Sequence, residues 1–233
     1  AGITTIGNNA FEGCSSLTGV SMPLGLESIG QSVFYGCSSL TSIVLPSAIK
    51  SIPYGLFYNC TNLASIEMGD DITSIGQNAF YGCKSITRLD FSGALESTGN
   101  YAFAYCTSLR EVLLSPNLTS LGSSAFSNCT SLEEISLPDS LKVIPSSLFS
   151  NCSSLKTVNA AADLISIGSS AFYDCAVLEG FNIPATVTSL GSSAFRGCAK
   201  TTSITIPEGI KAVPDHFCYG CTSLADVTLP STI

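Results

Sequence analysis

A cysteine recurs every 23 residues along this chain. Ten of the eleven cysteines share the spacing: Cys14, Cys37, Cys60, Cys83, Cys106, Cys129, Cys152, Cys175, Cys198 and Cys221. An internal period of about 20 to 50 residues is typical of a solenoid, in which each repeat forms one coil. Because a single coil cannot bury its own apolar side, successive coils have to stack. The period therefore predicts one solenoid domain over residues 1–233, built of about ten coils.

Apolar residues recur at fixed distances from each cysteine. After Cys37, the residues Leu40, Ile43 and Leu45 are followed by Pro46. Alternation of this kind predicts a short strand with one buried face, which proline ends because it cannot donate to a ladder. Ala-Phe then precedes the next cysteine, after a Ser, Asn or Gln suited to opening a helical turn, and Gly or Asn suits a left-handed close. The pattern predicts an α/β solenoid with short parallel strands on one side and single helical turns on the other.

Stacking places equivalent residues about 4.8 Å apart, so the ten cysteines should form one internal column beside a phenylalanine column. Parallel side chains do not face each other as a disulfide requires, and a line of thiols is not a four-ligand zinc site. We therefore expect small buried thiols rather than a disulfide framework or a metal site. The remaining cysteine, Cys218, takes the place of phenylalanine and makes one C-x-x-C with Cys221, a weak signal for a redox or metal role.

The repeat L-x-x-I-x-[LI]-P-x-x-[IV]-x-x-I-G-x-x-A-F-x-x-C resembles the BspA-like, treponemal-type leucine-rich repeats from Ile3 to Ile233. It departs from the better-known leucine-rich motif, since Ala48 stands where that motif has Asn or Cys. The resemblance implies a right-handed solenoid whose strands line a concave face. It also implies a cell-surface or secreted protein of bacteria or parasitic protists, associated with adhesion to host matrix proteins such as fibronectin and fibrinogen. It carries over no catalytic residue.

The composition narrows the classes of function. Charged residues make up 11% of the chain and its net charge is -8, which disfavours a nucleic-acid partner. No apolar run approaches the roughly 20 residues that cross a bilayer, so we expect no membrane insertion within this segment. His216 is the single histidine, expected to be exposed or capping, and no catalytic or phosphate-binding motif occurs. Asp70-Asp71 is expected to be a solvated turn rather than a calcium site. We therefore expect neither an enzyme nor a bound cofactor or metal.

One feature is not explained by the repeat. Positions four, five and seven after each cysteine should lie on or beside the exposed strand face, and most hold Ser, Thr, Gly or Ala. In the middle coils they become charged: Glu67, Arg88, Asp90, Arg110, Glu111, Glu133, Glu134 and Lys156. This set is either a ligand-binding patch on the concave face, with arginine as the anchor, or a series of cross-strand pairs that aid solubility. The sequence leaves both interpretations open.

These observations favour a non-enzymatic protein-binding module of a surface or secreted, adhesin-like protein. The expected partner is a host matrix or cell-surface protein bound on the concave sheet. The alternative is a structural spacer that projects another domain, which the uniform Ser/Thr coils favour. The array starts and stops within a repeat and shows no polar cap, so we expect a fragment of a longer array or ends that pair with another copy. The oligomeric state stays open.

Overall fold

The computed structural model describes residues 2–231. Within that range the chain forms sixteen strands of two or three residues. Eight front strands lie five to seven residues after a cysteine: β3 Ser42–Val44, β5 Ser65–Glu67, β7 Arg88–Asp90, β9 Glu111–Leu113, β10 Glu134–Ser136, β12 Thr157–Asn159, β15 Ser203–Thr205 and β16 Asp226–Thr228. Eight side strands follow the proline position: β1 Thr5–Ile6, β2 Ser28–Ile29, β4 Ser51–Ile52, β6 Ser74–Ile75, β8 Ser97–Thr98, β11 Val143–Ile144, β13 Ser166–Ile167 and β14 Ser189–Leu190.

The strands pair in parallel with the register that the period predicts. On the front, Arg88 lies opposite Glu111. On the side, Ser51 lies opposite Ser74. Each partner is 23 residues from the other, so every coil rests on the next with equivalent residues in contact. The predicted stack of about ten coils with short parallel strands is confirmed.

The predicted helical turns, and with them the α/β class, are wrong: residues 2–231 contain no helix. Between the side strand and the next cysteine, alternate backbone amides donate to different coils. Phe57 N–H donates to the Ala79 carbonyl of the next coil at 2.8 Å, whereas Cys60 N–H donates back to Phe57 at 3.0 Å. A helix would need every amide to bond within its own segment. Sharing the amides between coils gives a wall of turns instead.

In each coil, the turns between the side strand and the next cysteine contain two residues with a left-handed backbone. One precedes the cysteine directly, as Asn59 does with φ 55°, and the other lies five residues before a cysteine, as Ser124 does with φ 57°. Both positions interrupt the right-handed backbone that a helix requires. The left-handed close predicted before the cysteine is confirmed, and the second left-handed position is an additional finding.

Phenylalanine and cysteine columns run through one continuous core. Successive phenylalanine rings from Phe11 to Phe195 stack with centroids 5.0–5.9 Å apart. All eleven cysteines are free, and the eight from Cys37 to Cys198 in the column are buried, as predicted. Each of the nine column thiols from Cys37 to Cys221 also donates to the carbonyl of the phenylalanine in the preceding coil, at 3.0–3.3 Å. The column therefore requires a residue that is small and also carries a donor.

Coil-to-coil spacing is tightest at the glycine that follows the side strand. A Cβ atom added at Gly122 would overlap the backbone of Gly99 in the preceding coil, and one added at Gly99 would overlap Gln77. Neither position needs a left-handed backbone, so the requirement for glycine comes from the close approach of the chains.

Candidate interaction surface

The eight charged residues singled out by the sequence lie on or directly beside the front strands, and all are exposed. Arg88 and Asp90 lie on β7, with Glu67 at the end of β5. The remaining residues extend the row over the next three coils: Arg110 and Glu111 at β9, Glu133 and Glu134 at β10, and Lys156 just before β12. The repeat holds them there because the residues between them, such as Leu89 and Val112, point into the core.

The first charged group is centred on Arg88. Its Nη2 atom lies 3.2 Å from Asp90 Oδ2, and its Nε atom lies 3.4 Å from Glu111 Oε2 on the neighbouring strand. The side chain and backbone amide of Ser92 bind the Asp90 carboxylate and lower its pKa, with a smaller effect from Arg88. This group is thus a cross-strand network of the kind that the solubility interpretation describes.

The second group lies two coils further along. Lys156 Nζ is 2.7 Å from Glu133 Oε2. This contact lowers the pKa of Glu133, with a small contribution from Arg110, and raises the pKa of Lys156, with a small contribution from Glu179. Both side chains are about half exposed, so water screens the pair and it adds little stability.

Pairing accounts for only part of the row. Among residues 2–231, the side chains of Glu67, Arg110 and Glu134 have no ion-pair partner within 4.0 Å. Ion pairing within and between strands therefore accounts for five of the eight predicted residues and leaves these three with their charges available to another molecule.

Two open depressions lie over the front strands. The larger has a volume of about 800 Å³ and is lined by both charged and apolar residues, among them Arg110, Glu111, Leu113, Glu133, Glu134 and Lys156. The second has about 610 Å³ and contains Glu67, Arg88 and Asp90 in its lining. All eight predicted residues thus line one or the other. Neither depression is enclosed as small-molecule sites generally are.

Two residues of this surface, Leu113 and Asn159, are not among those that the sequence predicts. Leu113, seven residues after its cysteine, is 37% exposed in the larger depression because its neighbour Val112 takes the core position. Asn159, in the same phase, donates from Nδ2 to Ser136 Oγ at 2.9 Å. Both residues lie at the seventh position after a cysteine. They are found when that position is considered in every coil, whatever its residue type, and are missed when only charged residues are considered.

His216 is exposed, as expected, and its ring lies edge-on to Tyr219 with centroids 5.6 Å apart. Within residues 2–231 no three His, Cys, Asp or Glu side chains converge in a way that could hold a metal ion. The same residues include no helix of the length and hydrophobicity needed to cross a membrane.

The sequence model of the BspA type leucine rich repeat region, which spans six copies, matches residues 4–133 and again residues 119–233. The chain belongs to this family. The leucine-rich repeat solenoid expected from the motif is thereby confirmed for this BspA-type chain. A search of curated proteins gave no match.

Several solved structures are similar to this chain, and the first of those below shows the same fold. The leucine-rich repeat protein of T. pallidum is 28% identical with a TM-score of 0.66, and the match covers 84% of this chain and 82% of that one. A leucine-rich repeat protein of Bacteroides ovatus is 27% identical with a TM-score of 0.48, over 99% of this chain and 77% of that one. A leucine rich cell surface protein of Faecalibacterium prausnitzii is 21% identical with a TM-score of 0.45, over 97% and 76%.

Proposed function

We propose that this BspA-type chain is a non-enzymatic protein-binding module of a surface or secreted protein, and that its ligand docks on the front strands of the middle coils. Membership of the family supports the general class, since leucine-rich repeat solenoids commonly serve as protein-interaction surfaces. The site is proposed from the geometry described above. The host-facing, adhesin-like role is part of the proposal.

One observation carries the choice of site. In the larger depression, the exposed side chain of Leu113 lies among the unpaired Arg110 and Glu134. Binding energy in protein interfaces concentrates in a few residues, and arginine is one of the types enriched there. An apolar side chain beside unpaired charges of both signs offers a partner both contact area and directional hydrogen bonds. At the same positions of the outer coils Ser, Thr, Gly and Ala predominate, and larger apolar or charged residues occur singly, as at Val44, Glu179 and Asp226.

The charges also limit the partner. The eight predicted residues comprise five acids and three bases, a local charge of -2 within a chain of net charge -8. A polyanion would be repelled, whereas a protein surface with its own mixed charges is complementary. We therefore place a host matrix or cell-surface protein first among partners.

The test is a binding assay with the double variant Arg110→Glu, Leu113→Ser. Fibronectin, fibrinogen and a panel of other matrix proteins and glycans are immobilised, and the equilibrium affinity of the soluble chain is measured. Loss of one anchor at a binding site typically weakens affinity by about tenfold or more. The charge-matched control is Lys211→Glu, which reverses an exposed lysine outside both depressions. We expect the double variant to lose binding while the control retains it.

Two outcomes would overturn the proposal. Equal affinity of the double variant and the wild-type chain would move the site away from the front strands. Failure of the wild-type chain to bind any panel member would favour the spacer, which the uniform front positions of the outer coils support, as at Thr18, Gly19, Thr202 and Ser203.

A further inference from the structure

The last coil differs from the others at the turn that precedes its cysteine. In the coil of Cys198, the cysteine amide donates to the Phe195 carbonyl at 3.2 Å and closes the turn. In the last coil the same turn is closed by Cys221 N–H donating to the Cys218 carbonyl at 3.1 Å. Both ends of this turn are therefore cysteines, an arrangement found in no other coil of the sequence.

The turn brings the two cysteines within disulfide range. A hydrogen-bonded turn holds its first and fourth Cα atoms less than about 7 Å apart. Disulfide bonds span Cα separations of about 4.4 to 6.8 Å. The bond can therefore form without movement of neighbouring coils, unlike a bond along the cysteine column, where the side chains run in parallel.

The core does not depend on the Cys218 side chain. Phe217 occupies the aromatic position of this coil, only 4% exposed, with its ring edge-on to Phe195 at a centroid distance of 5.2 Å. Cys218 has no aromatic role to lose. Phe217 therefore takes the core position that phenylalanine holds in the other coils, and the Cys218 thiol has no packing role that a chemical reaction would disrupt.

Electrostatics separates this pair from the cysteines of the other coils. A hydrogen bond from the Cys218 thiol lowers the pKa of Cys221 and raises that of Cys218. Cys14 has no such neighbour, because Phe11 stands where its partner cysteine would be. The nucleophile in thiol chemistry is the thiolate, so Cys221 is the expected nucleophile of the pair.

We propose that Cys218 and Cys221 form a redox-active dithiol that a low-molecular-weight disulfide oxidises to an intramolecular disulfide. The Cys221 thiolate attacks one sulfur of the small disulfide, which forms a mixed disulfide and releases one small thiolate. The Cys218 thiolate, after giving its proton to solvent, attacks the Cys221 sulfur and releases the second small thiolate. One S–S bond forms in the protein as one breaks in the oxidant, and two electrons pass from the protein to the oxidant.

Oxidation has a defined cost inside the fold. The Cys221 thiol donates to the Phe195 carbonyl at 3.0 Å, and a disulfide removes that donor. The last coil then loses its thiol hydrogen bond to the preceding coil, while the eight thiols from Cys37 to Cys198 keep theirs. The redox state of this pair would therefore change the attachment of one coil and leave the rest of the array as it is.

The test treats the full, reduced chain with oxidised glutathione, blocks remaining thiols with an alkylating reagent under native conditions, and maps the products by mass spectrometry. We expect Cys218 and Cys221 in one disulfide without bound glutathione, and Cys14 as a mixed disulfide. In the variant Cys218→Ser, Cys221 should stop at the mixed disulfide. This variant keeps the Cys221 hydrogen bond and Phe217, so the last coil keeps its packing.

The alternatives are distinct in the same maps. The proposal would be overturned if Cys218 and Cys221 were recovered alkylated, and so not oxidised, while Cys14 had reacted with glutathione. The pair would then be less accessible or less reactive than a lone thiol. Glutathione retained on both cysteines would overturn it as well, since the turn would have failed to close the bond. Disulfides from Cys218 or Cys221 to a second chain would also overturn the proposal, because the intramolecular bond would not have formed. The variant Cys14→Ser is used for this comparison, since Cys14 could itself form disulfides between chains.

Discussion

Alkaline pH should unfold this solenoid through its buried thiols. The seven cysteines from Cys60 to Cys198 in the column are buried. Burial raises the pKa of Cys60, Cys106 and Cys152 to about 12, and it raises the pKa of the other four as well. In the unfolded chain the same thiols titrate near their ordinary pKa of about 8.5 to 9. Between these limits the unfolded chain releases protons that the folded chain retains, so stability falls as pH rises.

The size of the effect follows from the number of thiols. Each proton that only the folded state retains lowers the free energy of unfolding by about 1.4 kcal/mol for every pH unit above the unfolded pKa. Seven thiols together give about 10 kcal/mol per pH unit once the unfolded chain is fully ionised. The whole stability of a domain is typically about 5 to 15 kcal/mol. We therefore expect cooperative unfolding near pH 10, with no loss from these groups below about pH 8.

The assay is urea unfolding followed by circular dichroism at a series of pH values, with a phosphine reductant to keep the thiols free. The double variant Cys106→Ala, Cys129→Ala removes two of the seven groups and should reduce the alkaline slope by about two sevenths. It also loses two thiol hydrogen bonds, so its stability at neutral pH falls, but the slope is a separate readout. A free energy of unfolding that stays constant to about pH 10, or a slope that the double variant does not change, would refute the reasoning.

Three further substitutions test the packing, each followed by urea unfolding at neutral pH. Phe103→Ala should cost about 3–5 kcal/mol because the ring is fully buried, and a cost no larger than that of the half-exposed Phe11→Ala would contradict the account. Gly122→Ala should cost about 1–3 kcal/mol through overlap with the preceding coil, whereas Gly25→Ala, with open space around it, should be near neutral; equal effects would be inconsistent with contact between coils. Tyr105→Asn should raise stability by about 1 kcal/mol, since a bulky residue there has φ 61°; a decrease would mean that its contact with Tyr81 outweighs the strain.

The sequence was sufficient for the parts of the fold that each coil repeats identically. The period placed Cys60 above Cys37 and predicted the parallel register of the front strands, because stacking leaves one arrangement for equivalent residues. It failed at the turns. The alternation between hydrogen bonds within a coil and between coils is a property of two adjacent chains, and Ser124 in a left-handed conformation has no local signature in the sequence.

The candidate surface was predicted in position but not in pairing. The repeat phase fixed which face Arg88 and Glu134 occupy, since their neighbours in sequence must be buried. The ion pairs depend on how far each side chain reaches across the sheet, which the repeat phase does not specify. Lys156 contacts Glu133, whereas Arg110 has no ion-pair partner in the part of the chain that the structure describes. Leu113 was overlooked because an apolar residue in a strand is ordinarily assigned to the core.

The fixed offset of 23 residues between paired strands has a mechanical consequence. Each coil is bonded only to the coils beside it, so tension applied along the array should detach coils one at a time from an end rather than rupture the whole structure at once. Each detached coil would release roughly 80 Å of extended chain. In a single-molecule stretching experiment this would give a series of equal steps, and a protein anchored between two surfaces would lengthen stepwise under load while its remaining coils stayed folded.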